Sequence, residues 1–546
     1  MLFSDKKFDI ELFKIVMIKK YLTLILLIII SLLSVSLFLY KMNVSPPALN
    51  ADEATNAYDA YSIMKTGHDQ YGTFLPLRFK SFGDYKLPLL TYLAIPFIKI
   101  FGLTETGIRM VNFPFVLLFP LIVFLLSQEL LNNKKVSLLA AFFAGFAPGL
   151  QLLGRQGSES FMTAFFLTLS FYLFLRFLKK QTAKNFLFFD LCFLISLFGY
   201  HSSRLWAGFY FLLILFFVIK KRLSKLYLLG FILVVFLFGI TDIIYKPTRV
   251  SNLLFFNNLG FSLKINELRG EDGNRFVYNK LTIGVKDLSS NYLKYFSPQF
   301  LIISGDGNPR FGYPGISPIT IIEYIFIFIG LYYLFKNNEK WRYLILAMLL
   351  FAPVSGSLSW AGESINRTVF IFIPILIISS YGIINFLNKK SLFSYLILTT
   401  LYLILVFYSW DFYLNHYPKR AIALRSWQAG YKELADYVKM NYNNYDKFYI
   451  TKKNGQPYIF LLFYLQYPPE KYQQIAKLSP PDEYGFGQVE KFDKFIFNVP
   501  NDKNIKNSVI IGYPDDFSET EKIGTKKIKV GTEEIFYIKE SAITTL

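Results

Sequence analysis

Leu87-Pro88-Leu89-Leu90-Thr91-Tyr92-Leu93-Ala94-Ile95-Pro96-Phe97-Ile98-Lys99-Ile100-Phe101-Gly102-Leu103 either crosses a membrane or lies along its surface, and the sidedness of everything after it follows. The run is apolar, but Pro88, Pro96 and Lys99 interrupt it. As a helix it would reach about 25 Å at 1.5 Å per residue, short of a hydrocarbon core of about 30 Å. If it does not cross, then Lys134-Lys135, Lys179-Lys180, Lys220-Lys221-Arg222, Lys336 with Arg342, and Lys389-Lys390 all fall on one side. The positive-inside rule makes that side cytoplasmic. Residues 87–103 are therefore expected to form a juxtamembrane or re-entrant helix on the outer face, where such a segment packs on protein and interface.

The surrounding composition is that of a polytopic membrane protein: 53% apolar, 19% aromatic and only 18% charged. Runs such as Tyr21 to Tyr40 and Thr368 to Leu387 carry no charge and are long enough to span. We expect about eleven transmembrane helices, near 20–40, 110–127, 136–153, 160–178, 186–200, 205–219, 226–244, 318–335, 341–358, 368–387 and 391–410, with the fifth and sixth short. Basic residues precede the first span and no small-residue cleavage site follows it, so it reads as a retained anchor with a cytoplasmic N-terminus. The net charge of +20 lies largely in short inter-span loops and reflects topology rather than nucleic-acid binding. Cys192 is the single cysteine, inside an apolar stretch; it offers neither a disulfide framework nor a thiol metal cluster and reads as a small buried hydrophobe.

The chain thus divides into a membrane portion, 1–410, with outer loops 41–109 and 245–317, and a tail, 411–546, of soluble composition. The second loop holds Gly305-Asp306-Gly307-Asn308-Pro309-Arg310, and a loop of that length is more often functional than idle. The tail opens on an amphipathic helical pattern from Trp427 to Met440. Strand-like runs follow at Lys447–Thr451, Phe495–Phe497, Ser508–Gly512 and Glu534–Ile538, the mark of a small α/β domain on the outer side.

Shortly after the first span comes Ala51-Asp52-Glu53-Ala54-Thr55-Asn56-Ala57-Tyr58, whose adjacent acids at a membrane face are suited to proton chemistry. Asp84-Tyr85-Lys86-Leu87-Pro88-Leu89 adds an acid beside a cation, and Gly102-Leu103-Thr104-Glu105-Thr106-Gly107-Ile108-Arg109 follows the apolar run. This ordered set resembles the GT-C membrane glycosyltransferases, in the branch of the protein O-mannosyltransferases and the lipid A aminoarabinose transferase, over roughly residues 15–390. The resemblance implies a multi-pass protein of a prokaryotic plasma membrane that performs inverting sugar transfer on the extracytoplasmic face. The donor would be a polyprenyl-phosphate-linked sugar, the acceptor a hydroxyl of a glycan, lipid or protein, and no nucleic acid would take part. It implies Asp52, of the Asp52-Glu53 pair, as the catalytic carboxylate and Lys86 as a contact to the donor phosphate. Asp84 approximately matches the family's second acid, although Tyr85 separates it from Lys86 and Leu87 stands where the family commonly has proline.

Elementary chemistry asks for the same groups. An acceptor hydroxyl loses its proton as it attacks the anomeric carbon, so a carboxylate within hydrogen-bond reach serves as general base. Asp52 suits that role. Negative charge grows on the departing lipid phosphate and is best met by fixed cations. The short outer-side loops supply single arginines, Arg155, Arg204 and Arg367, to join Lys86, and arginine's planar fork suits phosphate oxygens.

Other readings stand beside these. Arg155 either contacts the donor or anchors a helix end and pairs with Glu159, and Arg204 and Arg367 share that ambiguity. Asp306 and Arg310 either touch the substrate or cap turns. His201 reads as an interfacial polar residue, since no second histidine or carboxylate lies at metal spacing. An Asp-Glu pair lacks the spaced Asp-x-Asp of metal-dependent relatives, so no obligatory metal is expected, with a divalent cation left open. A lipid or glycan transporter or flippase is the competing function. Transporters bury ionisable elements at midplane and often show repeats; here the charges cluster on one face and no repeat is evident.

Overall fold

The computed structural model describes residues 2–541 except 83, 248, 389, 476–478, 480–486, 488 and 504. Lys389 of the expected cytoplasmic Lys389-Lys390 turn lies outside the described residues. Every apolar segment anticipated as a span coincides with helix, yet several are broken or short. Six helices among the described residues are long and apolar enough to cross a membrane, or seven if the bent pair Lys134–Phe146 and Pro148–Gly154, angled by 54°, is one span. The expected count of about eleven is therefore not established. Proline accounts for two breaks: Pro148 opens the second half of the bent pair, and Pro353 divides Arg342–Phe351 from Val354–Ser357.

The 87–103 stretch forms helix α3 (Leu89–Phe101), preceded by α1 (Leu2–Leu39) and α2 (Ala51–Thr66). At 13 residues α3 is about 20 Å long and too short to span. Both of its ends meet the same segment. Before it, Lys86 pairs with Asp52 at 3.2 Å; after it, Thr106 Oγ1 donates to Asn43 Oδ1 at 3.2 Å and Arg109 Nη2 to the Ala48 carbonyl at 2.6 Å. The chain enters and leaves α3 on one face.

The irregular stretch from the end of α1 to the start of α2 carries carbonyls that helix hydrogen bonds do not satisfy, and two buried arginines supply the donors. Arg109 takes the carbonyls of Met42, Pro46 and Ala48. Arg155 takes those of Leu37, Phe38, Tyr40 and Ser45. Asn50 then starts α2 as an N-cap, and its reciprocal box with Glu53 satisfies the first-turn donors.

The tail folds on a six-stranded sheet of order β4-β5-β3-β6-β8-β7, formed by Lys447–Ile450 (β3), Lys491–Phe492 (β4), Phe495–Ile496 (β5), Ser508–Gly512 (β6), Lys526–Val530 (β7) and Glu533–Glu540 (β8). β3 runs parallel to β5 and β6, while β8 runs antiparallel to β6 and β7. The helix expected over 427–440 is instead Ala421–Ser426 and Tyr431–Asn441. Gly430 breaks it at φ 97, where any side chain would also strike Ile535, whose Cγ2 lies 2.8 Å from the would-be Cβ. The tail sits on the face that carries α2: Gln428 Oε1 accepts from the Ala51 amide at 3.0 Å, Tyr58 OH donates to the Tyr467 carbonyl at 2.8 Å, and Gln473 Nε2 reaches Ser62, Thr66 and Asp69.

Candidate active site

A polar cavity of about 240 Å³ lies at the N-terminus of α2. Its wall is assembled from distant parts of the chain: Asn50, Asp52 and Asn56; Lys86; Gln156 to Ser160; Tyr200 and His201; Asp306, Asn308 and Arg310; and Ser364, Asn366 and Arg367. These segments lie on either side of α3 and between successive spans. Their convergence places all of these segments on one face of the molecule.

Successive helical residues point about 100° apart, and this divides the adjacent acid pair. Asp52, 46% exposed at its side chain, faces the cavity, with Lys86 Nζ at 3.2 Å from Oδ1 and Arg310 Nη1 at 3.9 Å from Oδ2. Glu53 is buried and turns inward. Its Oε1 accepts from the Gly157 amide at 2.8 Å and faces Arg109 Nε at 3.5 Å, and its Oε2 accepts from Asn50. Gly157 is needed there, because a Cβ would lie 2.8 Å from Ile108 and 3.3 Å from Glu53. Glu53, expected in the catalytic set, thus joins the packing that orients Asp52 and is absent from the cavity wall.

Lys86 ends the hairpin of β1 (Phe79–Ser81) and β2 (Asp84–Lys86), and its Nζ is 5.3 Å from the Phe82 ring centroid. Asp84 stands two residues before Lys86 on the same strand, yet its Oδ1 accepts from the Tyr85 amide at 2.7 Å and it does not line the cavity.

Of the four cations expected around a donor phosphate, the structure brings Lys86 and Arg367 to the cavity and places Arg155 and Arg204 elsewhere. Arg155 is corrected to a structural anchor: it is fully buried, and its five N–H groups are all engaged by backbone carbonyls at 2.5 to 3.2 Å, leaving no donor for a phosphate. Arg204 shares Asp242 with Arg78, at 3.0 and 2.6 Å, against the ring of Phe238. It is corrected likewise, to a clamp between a span end and the segment preceding β1. Arg367 lines the cavity, and its Nη1 is buried with no hydrogen-bond partner within the protein; Arg204 Nε is likewise buried and unpartnered, but away from that cavity.

Asp306, Arg310 and His201 all reach the cavity. Asp306 accepts from the Asn308 amide at 2.8 Å and the Ile365 amide at 2.7 Å, so it staples its own turn to the segment bearing Arg367. Burial raises its pKa to about 6 despite those bonds. Glu159 is the acid that sequence reasoning missed as a cavity residue. It opens the helix Glu159–Lys179, accepts from Asn56 Nδ2 at 3.1 Å, and was read only as a neighbour of Arg155. The polar run Gln156-Gly157-Ser158-Glu159 at a span end was the available signal. Among the described residues no group of three or more His, Cys, Asp or Glu side chains is arranged to hold a metal ion.

A sequence-family model described as dolichyl-phosphate-mannose-protein mannosyltransferase matches residues 86–245. No curated protein matched the chain. ArnT from Cupriavidus metallidurans bound to undecaprenyl phosphate superposes with a TM-score of 0.54 at 10% identity, covering 95% of this chain and 99% of that one. Its apo state gives 0.52 at 11% identity, over 94% and 97%. The archaeal oligosaccharyltransferase AglB from Archaeoglobus fulgidus, in complex with an inhibitory peptide and a dolichol-phosphate, gives 0.48 at 15% identity over 82% of this chain. This chain spans 64% of the AglB length. With ArnT matched along nearly all of both chains and the mannosyltransferase-family segment beginning at Lys86, the chain shares the fold of ArnT, as the sequence resemblance to the GT-C membrane glycosyltransferases leads one to expect.

Proposed function

We propose that the cavity catalyses inverting transfer of a sugar from a polyprenyl-phosphate donor to an acceptor hydroxyl on the extracytoplasmic face. The observation that carries this reading is the half-exposed Asp52 carboxylate, set between Lys86 and Arg310, with the unpartnered Arg367 Nη1 on the same cavity. Asp52 takes the proton of the acceptor hydroxyl, whose oxygen attacks the anomeric carbon from the face opposite the leaving phosphate. The bond from that carbon to the phosphate oxygen breaks, and the electron pair leaves with the lipid phosphate. Lys86, Arg310 and Arg367 meet the growing charge, which fixed cations in a partly dry site stabilise strongly. Asn308 and Asn366 place amides on the same wall, of the kind that recognise sugar hydroxyls. The shared fold with ArnT, solved with undecaprenyl phosphate, supports a lipid-phosphate donor.

The reading is tested by incubating purified protein in lipid with a panel of polyprenyl-phosphate sugars and following donor consumption and product by mass spectrometry. Consumption of one donor, with release of the lipid phosphate, is expected. Failure to consume any donor, together with donor movement across proteoliposome membranes, would replace the enzyme with a flippase.

A further inference from the structure

A second cavity, of about 310 Å³, lies away from the active-site pocket, where the end of α1, the chain at 414–419 and strand β7 meet. We propose that it is a headgroup site for an anionic phospholipid. Its charged lining groups are Lys41 and Lys419, and much of the rest of its wall is apolar, including Val44, Leu414, Leu424 and Val530. Lys41 follows directly on the first span in a left-handed conformation, φ 53, and its Nζ donates to Asn415 Oδ1. Behind the lining, Asp411 Oδ1 accepts from Asn415 Nδ2 at 2.6 Å and its Oδ2 faces His416 Nε2 at 3.4 Å, while Glu533 lies across the strand pair from Val530. Among the described residues, the lining itself carries two ammonium groups and no carboxylate, which leaves the wall positive.

The position selects the ligand. Both the first and the last long apolar helix end at this cavity, so it lies at headgroup depth. On the spans beside it, Leu39 and Tyr40 of α1 and Phe407 and Tyr408 of the last span are exposed apolar surface. A phosphodiester between the lysines would therefore place its acyl chains along a ready hydrocarbon track. A lysine ammonium pairs with a phosphodiester oxygen by a charge-assisted hydrogen bond whichever leaflet supplies the lipid. Leu424 and Val530 belong to the tail, so an occupying lipid would bridge the spans and the tail domain.

The test uses the purified full-length protein in native mass spectrometry, with dioleoyl phosphatidylglycerol and dioleoyl phosphatidylcholine in equal amounts and glycerol 3-phosphate in a separate arm. Phosphatidylglycerol should be retained over phosphatidylcholine on the order of tenfold, and the Lys41→Gln/Lys419→Gln pair should lose that preference. Lys41→Arg/Lys419→Arg should keep it. Should the glutamine pair not fold, each single glutamine variant should lower the preference a few-fold. Equal retention of the two lipids by the wild type, or an unchanged preference in the glutamine variants, overturns the proposal. Glycerol 3-phosphate binding as tight as the lipid also overturns it, since the cavity would then serve a soluble phosphate.

Discussion

Arg155 and Arg367 each stand alone in a short loop on the same face of the molecule, yet their two surroundings use a guanidinium in opposite ways. Around Arg155 the end of α1 and the following irregular segment present carbonyls that need donors, and every N–H of the side chain is engaged. Around Arg367 the polypeptide approaches from Asp306 and the cavity, and one buried nitrogen has no partner. A closed coordination shell holds a fold together; an open one on a cavity is ready for an anion. Asp52 and Glu53 repeat the contrast one residue apart, with Glu53 enclosed among Asn50, Gly157 and Arg109 and Asp52 turned to the pocket.

That contrast makes its strongest claim at Asp52. Asp52→Asn keeps shape and a partly exposed position while removing the proton acceptor, so turnover should fall by about 10²–10⁴-fold with an unchanged unfolding midpoint. Steady-state transfer assays and thermal unfolding of the same preparation check this; turnover near wild type would remove Asp52 from the role of base. Arg155→Ala should do the reverse. Deleting a buried cation with all its donors engaged should cost about 3–5 kcal/mol of stability, read as a large drop in unfolding midpoint or in folded yield. Any folded fraction should retain donor affinity, and a selective loss of that affinity would merge the two regions.

Arg367→Ala is expected to lose about 10²-fold in donor kcat/KM while unfolding within a few degrees of wild type. A stability loss matching Arg155→Ala, without a kinetic effect, would make it another anchor. Sidedness sharpens the comparison further. On a Cys192→Ser background, Thr104→Cys and Ser518→Cys should react with a membrane-impermeant thiol reagent in intact cells, and Asn338→Cys should not; opposite labelling of 104 and 518 would mean that α3 crosses.

The smallest effect concerns Asp306. Burial raises its folded pKa to about 6 from 3.8, so the folded state binds the proton more tightly than the unfolded chain. Its contribution to stability is present below about pH 4, declines between about 4 and 6, and then levels, an effect of order 1–3 kcal/mol. Asp306→Asn should flatten that part of the stability profile, as measured by denaturant unfolding from pH 4 to 7.

The sequence by itself determined where the apolar helices lie, four of the six strands of the tail and the order Asp52, Lys86, because hydrophobic periodicity and residue chemistry are local properties. Helix length and loop charge, read directly from the letters, predict that 87–103 stays on one face, and the structure holds both ends of α3 against the segment 43–52. The sequence did not separate Arg155 and Arg204 from Lys86 and Arg367, nor Glu53 from Asp52, nor bring Glu159 to the cavity. Only the tertiary structure decided these, because a side chain's role depends on which groups lie within about 3 Å of it. For Arg155 those groups are carbonyls more than a hundred residues away in the chain, and for Arg204 an aspartate that meets it only when two spans pack side by side.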